Sequence, residues 1–224
     1  MPISYNFKTI FVHIPKNAGT SVEKYLGTGS INQLYSHKPV KETSLIYNKE
    51  KFTPAELFNI DNICPQHLDA KNLQRIIDTD TFNSFYKFAV IGNPYNRMIS
   101  EYYYVQANEH ARYKPYQNLT FDKFLDKAFS ASKEEQLTIF DSHLSLQSSF
   151  ILSSNGDLLV DQIFSMENIP ELEAKLKEIT GLNQALPTAR ASPNYDRAKL
   201  LTDRNKELIY RRFKTDFQLF DYKK

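Results

Sequence analysis

One local design occurs twice in this chain and constrains its fold more than any bulk property. Phe7 to Ile14 (FKTIFVHI) is a short run of β-branched and aromatic residues stopped by Pro15, and Tyr86 to Ile91 (YKFAVI) is another, stopped by Gly-Asn-Pro. Apolar runs of this length between turn residues read as buried strands. Each is followed by a loop and then a helix. After PKNAGTS, the segment TSVEKYLG puts Val22, Tyr25 and Leu26 on one face, with Thr20 or Ser21 as cap and Gly27 as stop. After GNP, Pro94 opens a long helix through YNRMISEYYYVQANEH, at a position where its missing N–H costs nothing. Such alternation predicts right-handed crossovers and a mainly parallel α/β sheet covered on both faces. Ligands of these sheets bind beyond the carboxyl ends of the strands, where PKNAGTS and GNPYNR both fall.

The rest of the chain fits the same scheme. Helices are expected from about Asp69 to Asp78, over 120–129 with Thr120 as cap, around 133–141, from Leu172 to Thr180 ending at Gly181, and from Asp203 to Phe213. Asn155-Gly156 marks a turn between two short apolar runs, and Asp161 to Ser165 is a candidate third strand. Residues 28–55 show no periodicity and read as an irregular surface excursion.

A length of 224 residues suits one domain with one substantial core. Lys and Arg number 28 against 26 Asp and Glu, a net charge of +2, which argues against nucleic-acid binding by bulk charge. Any basic function must be concentrated in a site. The lone Cys64 excludes an internal disulfide framework and favours a reducing compartment. No apolar run approaches the ~20 residues of a membrane helix, so a soluble, cytoplasmic protein is expected.

The loop Pro15-Lys16-Asn17-Ala18-Gly19-Thr20-Ser21 joins a strand end to a helix start, a place where backbone N–H groups and a helix dipole favour an anion. Gly19 admits close backbone approach, Lys16 adds a positive charge, and Thr20 and Ser21 add hydroxyl donors. It is not a Walker A loop, which needs a glycine five residues before a Gly-Lys pair. An ordinary loop leading to a capped helix accounts for these seven residues equally well.

The segment FVHIPKNAGTS resembles the HIPKTAGTS-type signature of the carbohydrate sulfotransferases, the family of the heparan sulfate 2-O-sulfotransferases and their bacterial relatives. FAVIGNPYNRMISEYYY is similar to that family's second strand-loop-helix element, and HLSLQSSFIL, VDQIFSMENI and RASPNYDR follow in the family's order. The resemblance implies a single P-loop-like three-layer α/β domain over 1–224. It also implies a donor, 3′-phosphoadenosine 5′-phosphosulfate (PAPS), leaving as 3′-phosphoadenosine 5′-phosphate (PAP), a carbohydrate or glycoconjugate acceptor, and no metal. By the same resemblance, Lys16 matches the lysine beside the bridging oxygen of the phosphosulfate, with Asn17, Ala18, Gly19, Thr20 and Ser21 around it, and His67 falls where the catalytic histidine falls. Ser100 matches the serine at the 3′-phosphate. The arginine that precedes that serine by eight residues is replaced in this chain by Gly92, leaving Arg97 and Arg190 as candidate substitutes.

His13 lies within the signature and is expected to pack behind the loop, while His143 and Gln147 belong to a segment resembling the family's acceptor or cofactor wall. Tyr102, Tyr103 and Tyr104 are expected in the core, since consecutive helical residues point in different directions. Two other functions remain open from sequence: a non-catalytic nucleotide-binding or anion-binding protein of this fold, with Gly92 as its motive, and a P-loop kinase-like phosphotransferase, against which the Walker spacing argues.

Overall fold

The computed structural model describes residues 3–28, 65–188 and 196–224. In chain order the elements that matter are β1 (Ile3–Ser4), β2 (Thr9–Val12), α1 (Gly19–Tyr25), α2 (Ala70–Ile76), α3 (Thr79–Ser84), β3 (Tyr86–Ile91), α4 (Pro94–Ala107), α5 (Phe121–Ser130), α6 (Lys133–Phe140), β4 (Gln162–Ser165), α7 (Ile169–Thr180), α8 (Asp203–Arg212) and α9 (Lys214–Leu219). They group into two compact units, 1–91 with 149–190, and 92–148 with 191–224.

The first unit holds the sheet, in the order β1-β2-β3-β4. β2 pairs parallel with β3 and β3 parallel with β4, as the alternation predicts, in registers that place Phe11 opposite Phe88 and Val90 opposite Phe164. The edge departs from expectation: β1 pairs antiparallel with β2 through Ile3 and Ile10. A tight turn over Tyr5 to Lys8, with Lys8 at φ 47°, takes the start of the expected Phe7 strand out of the sheet. Period-two alternation sends Phe11, Phe88, Val90 and Phe164 to one face, where Val22, Tyr25 and Leu26 of α1 and Leu172 and Leu176 of α7 cover them. Ile10, Val12 and Ala89 on the other face are equally buried, so the sheet is covered on both sides. Burying each large apolar side chain contributes roughly 1.5–3 kcal/mol.

Helix boundaries follow their caps. Asp69 accepts from the Asn72 N–H at 2.8 Å and caps α2, which lies within the expected 69–78 helix, and Asp78 accepts from the Thr81 N–H at 2.8 Å and caps α3, a further helix beyond it. Gly27 and Gly181 end α1 and α7 with positive φ, and Gly156 makes the expected turn, with Leu152 bridging Leu158 across it.

The second unit is helical around an aromatic core of Tyr95, Tyr113, Tyr116, Phe121, Phe124, Phe140, Phe213 and Phe217. Tyr102 packs edge-on against Phe121 and Phe124, and Tyr104 against Tyr113, so these tyrosines serve packing. Asp216, fully buried in α9, accepts from the backbone N–H groups of Gln147 at 2.8 Å and Ser148 at 3.0 Å. Gln147 in turn holds the Gly92 backbone on both sides, accepting from its N–H at 3.0 Å and donating to its carbonyl at 2.9 Å. Arg204 pairs with both carboxylate oxygens of Asp126, and Arg211 pairs with Glu207, so these two arginines of α8 lie on a salt-bridged helix surface. Among the described residues, no helix is long and apolar enough to cross a membrane.

Candidate functional site

Because β2 and β3 run parallel, their carboxyl ends lie on the same edge of the sheet, and residues 13–18 leave from that edge. Proline at 15 forbids continuation of the ladder. The backbone then bends through Lys16 at φ 72° and Ala18 at φ 54°, two non-glycine residues in the left-handed region within one short loop. Each such residue costs of order 1–3 kcal/mol and persists only where its surroundings enforce it. One enforcing contact is Asn17: it is 1% exposed and its amide donates to the Val90 carbonyl at 3.1 Å, tying the loop to the end of β3. Alternation of left-handed residues along such a loop turns successive N–H groups toward a common side, the geometry of anion-binding nests.

α1 begins at Gly19, with Ala18 as its N-cap and no side-chain cap hydrogen bond. Thr20 and Ser21 are therefore inside the helix rather than capping it; the left-handed Ala18 starts the helix by bending the backbone, two residues earlier than a hydroxyl cap would. α1 has only seven residues, so its dipole adds little, and Lys16 is the main positive charge the loop offers.

Gly19 has a reason that its sequence context hides. A Cβ at this position would overlap the imidazole of His13 at Nε2, Cδ2 and Cε1. His13 is 4% exposed and packs behind the loop as expected, its ring stacked on Phe11 with centroids 5.6 Å apart. Its Nδ1 lies 2.9 Å from Oε1 of Glu23, a carboxylate 3% exposed in α1. Gln66 donates to Oε2 of the same carboxylate at 3.1 Å. His67 follows Gln66 in the turn Pro65–His67 and meets His13 edge-to-face, with ring centroids 4.9 Å apart. Lys16 through Ser21 and His67 thus belong to one unit, and His13 touches both Gly19 and His67.

Burial pushes the Glu23 carboxyl up, but the hydrogen bond and charge of His13 and the hydrogen bond from Gln66 outweigh it and hold Glu23 below the ordinary carboxylate value. A carboxylate with a lower pKa in the folded chain stabilises the fold at every pH above its unfolded value and loses that contribution as pH falls through the folded one. The stability gap between the wild type and Glu23→Gln is therefore expected to be full at neutral pH and to close below about pH 4. Thermal melts of both proteins between pH 7 and pH 3 check this; a gap independent of pH contradicts it.

The remaining candidates lie elsewhere. Arg97 and Ser100 sit on α4 in the second unit, Ser100 half-buried. Arg97 is 2% exposed, its terminal nitrogens donating to the carbonyls of Ser145 and His143, each at 2.8 Å, with its guanidinium 5.6 Å from the Phe213 ring centroid. Burial pushes that guanidinium down to about 10, with Asp216 and Glu101 pulling the other way. The two bonds to carbonyls engage two of the five guanidinium N–H groups. His143 pairs with the fully buried Glu101 at 2.8 Å. Arg190 lies outside the described residues. Sequence reasoning missed Glu23, Gln66 and Asp216 because their partners are 10, 43 and 68–69 residues away, beyond any local pattern.

The family model described as "Sulfotransferase family" matches residues 3–223. The chain belongs to the sulfotransferase family. No curated protein and no solved structure matches it.

Proposed function

We propose that this sulfotransferase moves a sulfuryl group from PAPS to a hydroxyl of a carbohydrate or glycoconjugate. The observation that carries the reading is the family match, which runs through both compact units and supports treating 1–224 as one functional domain. The loop supports the donor assignment: a lysine, two left-handed residues and backbone N–H groups at the carboxyl end of a parallel strand suit a phosphosulfate. In the in-line step, the acceptor oxygen bonds to sulfur while the bond from sulfur to the bridging phosphate oxygen breaks. His67 takes the acceptor hydroxyl proton, the electron pair stays on the departing phosphate, and Lys16 with the loop amides offsets that charge. Ser100, Arg97 and Arg190 are the proposed contacts of the 3′-phosphate.

Incubation with PAPS carrying radiolabelled sulfate and a panel of glycans tests the reading: label should pass to at least one glycan, and label that stays on the donor across the panel counts against it. Gly92 favours a second reading, an anion-binding protein without turnover. Where the resemblance places an arginine there is no side chain, and Gln147 takes both backbone groups. Calorimetry with PAP separates the two, micromolar binding supporting the enzyme and absence of binding the alternative.

A further inference from the structure

Glu23 has no part in sulfuryl transfer as proposed, yet the surroundings of His67 are built on it. A buried carboxylate is costly unless hydrogen-bonded, and a well-packed apolar residue is often as stable at such a position. Glu23 meets that condition with one partner on each oxygen: Oε1 faces Nδ1 of His13 at 2.9 Å and Oε2 accepts from Gln66 at 3.1 Å. An ionised carboxylate only accepts, so Nδ1 of His13 carries a proton. The imidazole is then fixed on every side, by Glu23 at Nδ1, by Phe11 on its face, by Gly19 at Nε2 and by His67 edge-on at an interplanar angle of 88°. The second partner, Gln66, is the residue immediately before His67. Glu23 therefore grips both the ring that His67 rests on and the turn that carries His67. Among the described residues the titratable groups on the elements packed around it are His13, after β2, and His67, in the turn, and the charge of the chain's amino terminus also acts on it.

We infer that Glu23 is a positioning residue for His67, holding it through His13 on one side and Gln66 on the other. The inference rests on the reading of His67 as the base. In the full-length protein, Glu23→Gln keeps size and hydrogen-bonding capacity and removes the charge. It is expected to lower kcat about tenfold with the donor KM within about twofold, the signature of a misplaced base rather than lost binding. Loss of a nearby negative charge makes an imidazolium harder to form, so the acid limb of the kcat/KM profile should move to lower pH by about half a unit. Glu23→Asp, which restores the charge, should bring the acid limb back.

A readout independent of turnover is the NMR titration of the ¹⁵N-labelled His67 ring in the ligand-free protein, whose midpoint should fall by the same half unit in Glu23→Gln. An unmoved midpoint together with unchanged kcat overturns the inference while leaving sulfuryl transfer intact. A shifted midpoint in a protein that transfers no label supports the coupling and removes the sulfotransferase mechanism instead. Gln66→Leu cuts one arm and leaves the charge. It should lower kcat about threefold with the acid limb in place, and an unchanged kcat there overturns the inference even if Glu23→Gln does not fold.

Discussion

Gly19→Ala is expected to destabilise the fold by about 2 kcal/mol, although it adds one methyl group and replaces a poor helix former with the best one. Propensity alone predicts the opposite sign, a gain of up to about 1 kcal/mol for alanine over glycine inside a helix. Packing decides the matter, because the new Cβ would overlap three atoms of the His13 ring. The ring has nowhere to go: Glu23 holds Nδ1 at 2.9 Å and Phe11 lies stacked against its face. For a chain of this length the expected fall in Tm is about 2–4 °C per kcal/mol. A double-mutant cycle isolates the cause. His13→Ala costs stability on its own by breaking the Glu23 pair, but in its background Gly19→Ala should become neutral or stabilising, a coupling of at least about 2 kcal/mol. If urea denaturation shows Gly19→Ala as stable as the wild type, the ring is not wedged against the loop and His13 is not what keeps position 19 a glycine.

That pair also shows where the sequence stops being readable. β3 was legible to the residue, because YKFAVI is an apolar run closed by Gly-Asn-Pro, and the parallel pairing of β2 with β3 follows from two such runs joined by crossovers. The capping hydroxyls read from sequence do not cap: α1 starts from Ala18 rather than from Thr20 or Ser21, and Thr120 precedes α5 with no side-chain cap hydrogen bond. β1 was not legible, since two residues carry no alternation and their pairing depends on a turn with φ positive at a lysine. Glycine 19 was legible as a constrained position, but not the constraint the structure shows, a histidine six residues earlier. The site divides the same way. Lys16 and its neighbours stand out because one loop carries them all, whereas the carboxylate that organises the interior behind them is met only through tertiary contacts. Arg97, a candidate phosphate contact from sequence, also donates to two carbonyls and lies against an aromatic ring, contacts that no local pattern announces.

Lys16→Ala is expected to lower kcat for sulfuryl transfer by about 10²–10³-fold, the usual cost of removing one group that stabilises charge developing in the transition state. The side chain is half-buried and outside the hydrophobic clusters, so Tm should change by no more than about 2 °C. A drop in activity alone does not separate the ammonium from the backbone, because Lys16 sits at φ 72°, where alanine is no more comfortable than lysine. Lys16→Gly makes that separation. Glycine accepts positive φ without strain, so this variant should be at least as stable as Lys16→Ala while lacking the same charge. Equal loss of turnover in the two variants, measured with radiolabelled PAPS and an acceptor identified in the panel, assigns the effect to the ammonium group. Near-wild-type turnover in Lys16→Gly assigns it to the loop conformation instead, and removes Lys16 from the chemistry.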